Sequence, residues 1–193
     1  MKEDRMELSE VIRGRRSVRR FKPDEVATEV IEKLLDLAVW APSGMNRQVW
    51  YFVVVKGQKK DEFLKISATA FDEFRPLLEK TFKDKPKIVE GMQRFFETYG
   101  GAPVILFAYA GKLPNGDDDV CSTAAAAQNL LLAAHEAGLG AVWTDGVLIK
   151  ESEINSLLGI EGQKLVSVIP LGYPDEVPKA PPRREGRVAW LGF

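Results

Sequence analysis

Residues 120–140 read VCSTAAAAQNLLLAAHEAGLG, and the reading of this stretch decides the fold. Its apolar part, residues 123–134, is interrupted by Gln128 and Asn129 and falls short of the ~20 residues that a membrane-spanning helix requires. It is therefore expected to be a helix buried inside the protein. Alanines at 124–127, 133 and 134 let backbones approach closely, and the apolar character extends nearly all round. Such a helix belongs at the centre, facing both the core and a partner subunit. Gly138 is placed to follow its C-cap in left-handed conformation, and the Gly-Asp-rich stretch 111–119 offers negative charge to its positive start.

Working outward, residues 103–110 and 141–144 read as strands on either side of this helix. Residues 50–55 are aromatic and β-branched and stop at Gly57, the pattern of a strand buried on both faces. Residues 164–171 supply a fourth strand. Leu8, Val11 and Ile12 mark a short first helix. A second begins near Thr28, with Ile31, Leu34, Leu35, Ala38 and Val39 at three-and-four spacing, and stops before Pro42. Residues 59–99 look helical and carry Phe63, Phe71, Phe74, Phe82, Phe95, Phe96 and Tyr99, some of them expected to line a pocket. Residues 150–158 form a short helix, and from Pro174 the chain is proline-rich, basic and extended. The class that follows is α+β, with a central mixed, largely antiparallel sheet flanked by helices. Without an internal repeat or a linker, residues 1–193 are expected to form a single domain, which at this size buries roughly 70% of its unfolded surface.

Hydrophobic residues make up 45% and charged residues 28% of the 193, and the net charge is −1. That balance indicates neither a protein coating nucleic acid nor one spread on an anionic membrane. The single cysteine, Cys121, cannot form an intramolecular disulfide and reads as a small buried residue. The start MKEDRMELSE lacks the apolar core of a signal peptide, so a reducing, cytoplasmic setting is expected.

Arg13, Arg15, Arg16, Arg19, Arg20 and Lys22 form the densest positive cluster, with Ser17 inside it. A phosphate monoester suits it, because guanidinium groups bind phosphate oxygens bidentately and a serine hydroxyl adds a neutral donor. A solvated basic face is the plain alternative. A nucleic-acid patch is opposed by the absence of interleaved stacking aromatics. The second signal is the polar loop 41–50, APSGMNRQVW, wedged between a helix and a strand. Asn46 and Gln48 could read the edge of a planar heterocycle, or simply cap backbone groups.

Other patterns lead nowhere. Gly138-Leu139-Gly140 follows a helix and enters a strand, the reverse of a dinucleotide fingerprint. His135-Glu136 has no second histidine one turn on, and His135 is assigned to settling a helix C-terminus. No Gly-x-Ser-x-Gly elbow is present. The PxxPxR form at residues 178–183 is better explained by an ordered tail crossing a dimer than by a partner domain.

Residues 15–21, RRSVRRF, followed by APSGMNRQVW resemble the opening of the FMN-dependent nitroreductases. The resemblance continues in QNLLLAAHEAGLG at 128–140, WTDG at 143–146 and PPRR at 181–184, and spans nearly the whole chain. It is weakest over residues 59–99. The family's Gln-Pro-Trp stands here as Gln48-Val49-Trp50, and an asparagine often found further on has no clear counterpart near residues 66–69.

The resemblance implies a three-layer fold and an intertwined homodimer with an extended C-terminal tail and shared FMN sites. Arg15, Arg16 and Ser17, with Arg183 or Arg184, would hold the FMN phosphate and ribityl chain. Arg19 would stand near flavin N1 and O2. Pro42, Ser43, Gly44 and Asn46 would reach the flavin from the partner subunit, and Gln48 joins them among the cofactor-binding residues. Thr144, Asp145 and Gly146 would flank the ring, the last two offering backbone N–H groups near N5 and O4. The implied chemistry is ping-pong transfer from NADH or NADPH through flavin N5 to a nitroaromatic, quinone or similar acceptor, with no catalytic side chain and no metal. Reductive dehalogenation, flavin breakdown and non-catalytic FMN binding are the related alternatives.

Overall fold

The sheet is built round seven consecutive apolar residues, Val104–Ala110, every one of them buried. The structure, a computed structural model, describes residues 6–192; residues 1–5 of the charged start, and Phe193, lie outside them. In chain order the elements are α1 (Leu8–Gly14), α2 (Thr28–Ala38), β1 (Trp50–Val55), α3 (Gly57–Thr81), α4 (Pro86–Thr98), β2 (Val104–Ala110), α5 (Val120–Glu136), β3 (Gly140–Ala141), α6 (Glu151–Leu158) and β4 (Lys164–Gly172). The strands lie in the order β1-β2-β4-β3 and every ladder is antiparallel. The expected parallel component shrinks, among the described residues, to the single bridge Ser17–Ala141.

An all-apolar strand serves two cores because its side chains alternate. Val104 and Leu106 of β2 join α2 and α5 on one face, while Ile105, Phe107 and Tyr109 join α3 and α6 on the other. The result is three layers, helices on both sides of the sheet. In β4, Leu165 and Val168 share the α3 side although three residues apart. They do so because the ladder slips by one residue: Ala108 faces Ser167, but Tyr109 faces Leu165. That bulge re-aims every following side chain.

The helix that decided the reading, α5, is central as expected, with Ala126, Ala127, Leu130 and Ala134 completely buried. Asp119 caps it, its carboxylate accepting from the Ser122 N–H at 3.1 Å. Gly138, at φ 75°, ends it. The Leu139 N–H donates to the Ala134 carbonyl at 2.8 Å and the Gly138 N–H to that of His135 at 3.0 Å, the two bonds of a Schellman close.

Four expectations change. β1 is an edge strand, with Tyr51 49% and Val54 39% exposed, so it is not buried on both faces. Residues 59–99 divide into α3, which runs through Pro76 and closes at Phe82, and α4, whose first position is taken by Pro86. The strand expected at 141–144 is only two residues long, and Thr144 returns to the sheet by one bridge to Val168. Cys121 is exposed, lying in the first turn of α5 on the side away from the core. From Pro174 onward the described chain forms no helix or strand, as its prolines dictate. No helix among the described residues is long and apolar enough to cross a membrane.

Candidate functional site

Two segments far apart in sequence deliver basic groups to one place. α1 packs on α5, and Gly14 lies so close to the His135 ring that an added methyl would stand 2.7 Å from its Nε2. Arg15 and Arg16 therefore leave α1 beside the C-terminal turn of α5. Arg16 is turned back, its Nη1 donating to the carbonyls of Arg13 and Arg15, both at 2.7 Å. Ser17 is fixed by its bridge to Ala141, and the Val18 N–H donates to the Ala141 carbonyl at 3.2 Å.

The tail returns to the same spot because its start is stitched along residues 20–22. The Lys22 N–H donates to Tyr173 and the Asp175 N–H to Arg20, each at 2.9 Å. Glu176 accepts from the Arg19 N–H at 2.6 Å and pairs with the Arg20 guanidinium at 3.4 Å. Arg20 thus anchors the tail. Further along, Arg183 comes near enough to act on Arg15, whose pKa is held below the usual arginine value by burial, by Arg16 and by Arg183. Burial, then Arg15 and Arg16, likewise lowers the His135 imidazole. Arg184 is exposed and is not among the groups acting on Arg15. No carboxylate among the described residues pairs with Arg15, Arg16 or Arg183. Mutually repelling cations left uncompensated are what a bound anion would relieve.

A cavity of about 440 Å³ opens between the α3–α4 pair and residues 142–147. Arg19, Thr144, Asp145 and Gly146 line one side of it, and Phe74, Phe95, Phe96 and Tyr99 line the other. Gly146 meets the Phe96 ring so closely that a Cβ would stand 2.8 Å from Cζ, so a larger residue here would have to displace that ring. Gly146 also opens the short 3₁₀ turn Gly146–Lys150, whose first N–H groups have no partner within the turn. The Thr144 hydroxyl donates to the Val168 carbonyl at 2.6 Å and is committed to the sheet. A larger surface hollow of about 870 Å³ between α2 and α5 is ringed by Glu29, Glu32, Asp36 and Glu136. Its charge is wrong for an anion, and it contains none of the sequence-predicted site residues.

The loop after α2 stands apart. Pro42, Ser43, Gly44, Asn46 and Gln48 do not line the aromatic cavity. They form a self-bonded projection: the Gln48 N–H donates to Ser43 Oγ at 3.0 Å and Gln48 Nε2 to Asn46 Oδ1 at 2.9 Å. Met45, Asn46 and Gln48 are all left-handed, at φ 55°, 52° and 49°, each a conformation costing roughly 1–2 kcal/mol for a side-chain-bearing residue. Met45 is 85% and the nearby Trp40 79% exposed. The loop is thus strained, bonded to itself and flanked by two exposed apolar side chains.

The resemblance grouped Arg15, Arg16 and Ser17 with Arg183 or Arg184, and of the two tail arginines Arg183 is the one that acts on Arg15; Arg19, Thr144, Asp145 and Gly146 line one cavity. Sequence reasoning placed His135 at a helix end, where it is, but not beside the arginines. It counted the aromatics of residues 59–99 without identifying Phe96 as the one that covers Gly146.

The nitroreductase family model matches residues 12–173. The Bacillus subtilis (strain 168) protein that carries the name NAD(P)H nitroreductase YfhC is 32% identical over 181 residues, 91% of this chain and 89% of that one. The iodotyrosine deiodinase of Thermotoga neapolitana is 30% identical over 96% of this chain and 98% of its own length. Among solved structures, the FMN-dependent nitroreductase NfnB from Mycobacterium smegmatis in complex with NADPH superposes with a TM-score of 0.72 at 24% identity, over 90% of this chain and 93% of that one.

Proposed function

The chain belongs to the nitroreductase family, and from that premise we propose that it is an FMN-dependent oxidoreductase. It draws electrons from NADH or NADPH and delivers them, in a ping-pong cycle, to nitroaromatic, quinone or similar acceptors. The observation that carries this reading is the meeting of Arg15, Arg16 and Arg183, drawn from both ends of the chain, with no carboxylate among the described residues to neutralise them. The donor set fits a phosphate monoester: planar guanidinium forks with a serine hydroxyl, Ser17, alongside.

When bound, FMN would supply the two-electron redox chemistry. The chain's own residues bind and orient. Arg15, Ser17 and Arg183 would hold the phosphate end, with Arg16, whose Nη1 is given to the carbonyls of Arg13 and Arg15, adding charge and its remaining N–H groups beside them. Arg19 supplies a cation to the side of the ring that gains negative charge on reduction, and Asp145 and Gly146 offer backbone N–H groups to its reactive edge. The cavity faced by Phe74 and Phe96 excludes water and seats a flat acceptor. No side chain need act as nucleophile or general base.

The loop Pro42, Ser43, Gly44, Asn46 and Gln48 is assigned to the flavin of a partner subunit, so the working unit is a homodimer. Its rigidity, its exposure and its absence from this chain's own cavity support that assignment.

Purified protein should be yellow and dimeric by light scattering, and should oxidise NADH or NADPH when a nitroarene or quinone is added, with parallel double-reciprocal lines. A colourless chain that takes up no added FMN refutes the reading. Reductive dehalogenation is a second reading, favoured by the relative named a deiodinase; release of iodide from iodotyrosine by the reduced protein, with nitroarenes untouched, would select it.

A further inference from the structure

The turn that ends α4 touches both of the segments assigned above to the flavin ring. Tyr99, Gly100 and Gly101 are three successive left-handed residues, at φ 46°, 65° and 77°. Outside the strained loop after α2, Tyr99 is the one described residue with a side chain in this conformation. Its ring is 2% exposed, edge-on to Phe63 at 5.0 Å and stacked on Phe95 at 5.1 Å.

Its hydroxyl meets Thr144 Oγ1 at 3.4 Å. The single Thr144 hydroxyl proton is already given to the Val168 carbonyl, so toward Thr144 the Tyr99 hydroxyl can only donate, and the buried Ser67 hydroxyl is its other polar neighbour. The Thr144 backbone is itself held to Val168 in both directions, each at 3.0 Å. The next two residues are Asp145 and Gly146.

The same turn holds the other segment. The Gly100 carbonyl accepts from the Phe21 N–H at 2.9 Å, and a Cβ on Gly100 would stand 1.9 Å from the Arg19 carbonyl oxygen. Backbone lies directly on backbone here. One turn of α4 therefore abuts Arg19 through Gly100 and Thr144 through Tyr99, while Phe96, one helical turn earlier, covers Gly146.

We propose that Tyr99 is a positioning residue: through its hydroxyl on Thr144 it sets how the backbone of Asp145 and Gly146 is presented to the flavin's reactive edge. The inference rests on the flavin reading for its functional half. Its structural half concerns only this chain.

Tyr99→Phe keeps the ring packing and removes the hydroxyl, and Thr144→Val removes the acceptor. Both should speed hydrogen exchange of the Thr144 and Leu148 amides, which flank the site, on the order of 2- to 10-fold in flavin-free protein, the loss expected for one hydrogen bond. Both should shift the visible spectrum and midpoint potential of bound FMN and lower kcat more than they change KM, with FMN affinity within about 3-fold of wild type because the phosphate grip is untouched. Thr144→Ser keeps the hydroxyl and should restore the wild-type values. If Tyr99→Phe leaves both the amide exchange and the flavin spectrum unchanged, the inference is overturned. If the wild-type chain takes up no FMN, the flavin reading fails by itself, and unchanged exchange in the variant would separately defeat the positioning role.

Discussion

Burial, then Arg16, then Arg183 hold the Arg15 guanidinium below the ordinary arginine pKa, so Arg15 feels the charge of Arg183 although the two come from opposite ends of the chain. Their proximity is unfavourable until an anion sits between them. Replacing either by alanine removes hydrogen bonds to a charged group, about 1.5–3 kcal/mol, or roughly 10- to 100-fold in Kd. Arg15→Ala and Arg183→Ala should each weaken FMN binding by that factor and leave riboflavin, which has no phosphate, unaffected. Ser17→Ala, losing one bond from a neutral donor to the charged phosphate and no net charge, should cost about tenfold and less than either arginine variant. Fluorescence-quenching titrations with the two flavins check this; equal losses for both would place the arginines elsewhere.

His135 gives a pH readout of the same site. Burial, then Arg15 and Arg16, lowers its pKa in the fold below the unfolded value of about 6.5, so the fold favours the neutral ring. Flavin-free protein should then be at full stability above about pH 6.5 and lose stability as pH falls from there through the lower folded-state pKa, because the unfolded chain binds the proton first. A bound phosphate offsets the arginine charge and should move the titration upward. His135 is the single histidine, so one resonance reports it. The midpoint should rise with FMN or inorganic phosphate and stay put with riboflavin.

What could be read beforehand depended on how local the cause was. α5 was legible to within one residue of its end, since the acidic stretch closing at Asp119, the alanine run and Gly138 each act within one turn of where they stand. The exposed edge of β1 was not, because Trp50–Val55 is as apolar as β2 and only the strand order β1-β2-β4-β3 says which of them has a neighbour on each side. Arg15 and Arg183 could be joined only by resemblance; no periodicity links the two ends of a chain. The role of Tyr99 was hidden because its partners, Thr144 and the Arg19 segment, arrive from two other parts of the sequence.

Gly100 and Gly57 separate steric necessity from backbone preference. Both are left-handed, at φ 65° and 58°, so alanine costs each about 1–2 kcal/mol. At Gly57 nothing lies within 4 Å of the added Cβ, whereas at Gly100 it would meet the Arg19 carbonyl oxygen at 1.9 Å. Backbone cannot rotate aside as a side chain can, so overpacking adds about 1–3 kcal/mol or more. Denaturant unfolding should find Gly57→Ala mildly destabilised and Gly100→Ala too unstable to purify, or lower by over about 3 kcal/mol. Similar midpoints for both would mean that the Arg19 segment can move away from the turn.

The loop after α2 should behave oppositely to the arginines. Ser43→Ala removes the acceptor of the Gln48 N–H and frees a stretch in which three residues are held left-handed. The loop is exposed, so global stability should change by less than about 0.5 kcal/mol. The flavin ring should lose a preformed wall, and FMN and riboflavin should both weaken by about 2- to 10-fold, the value of one neutral hydrogen bond. Because the wall is assigned to the partner subunit, flavin affinity in the wild type should also fall on dilution below the dimer dissociation constant, since each site is then half built. Affinity independent of protein concentration while the dimer dissociates would return the loop to a purely structural role.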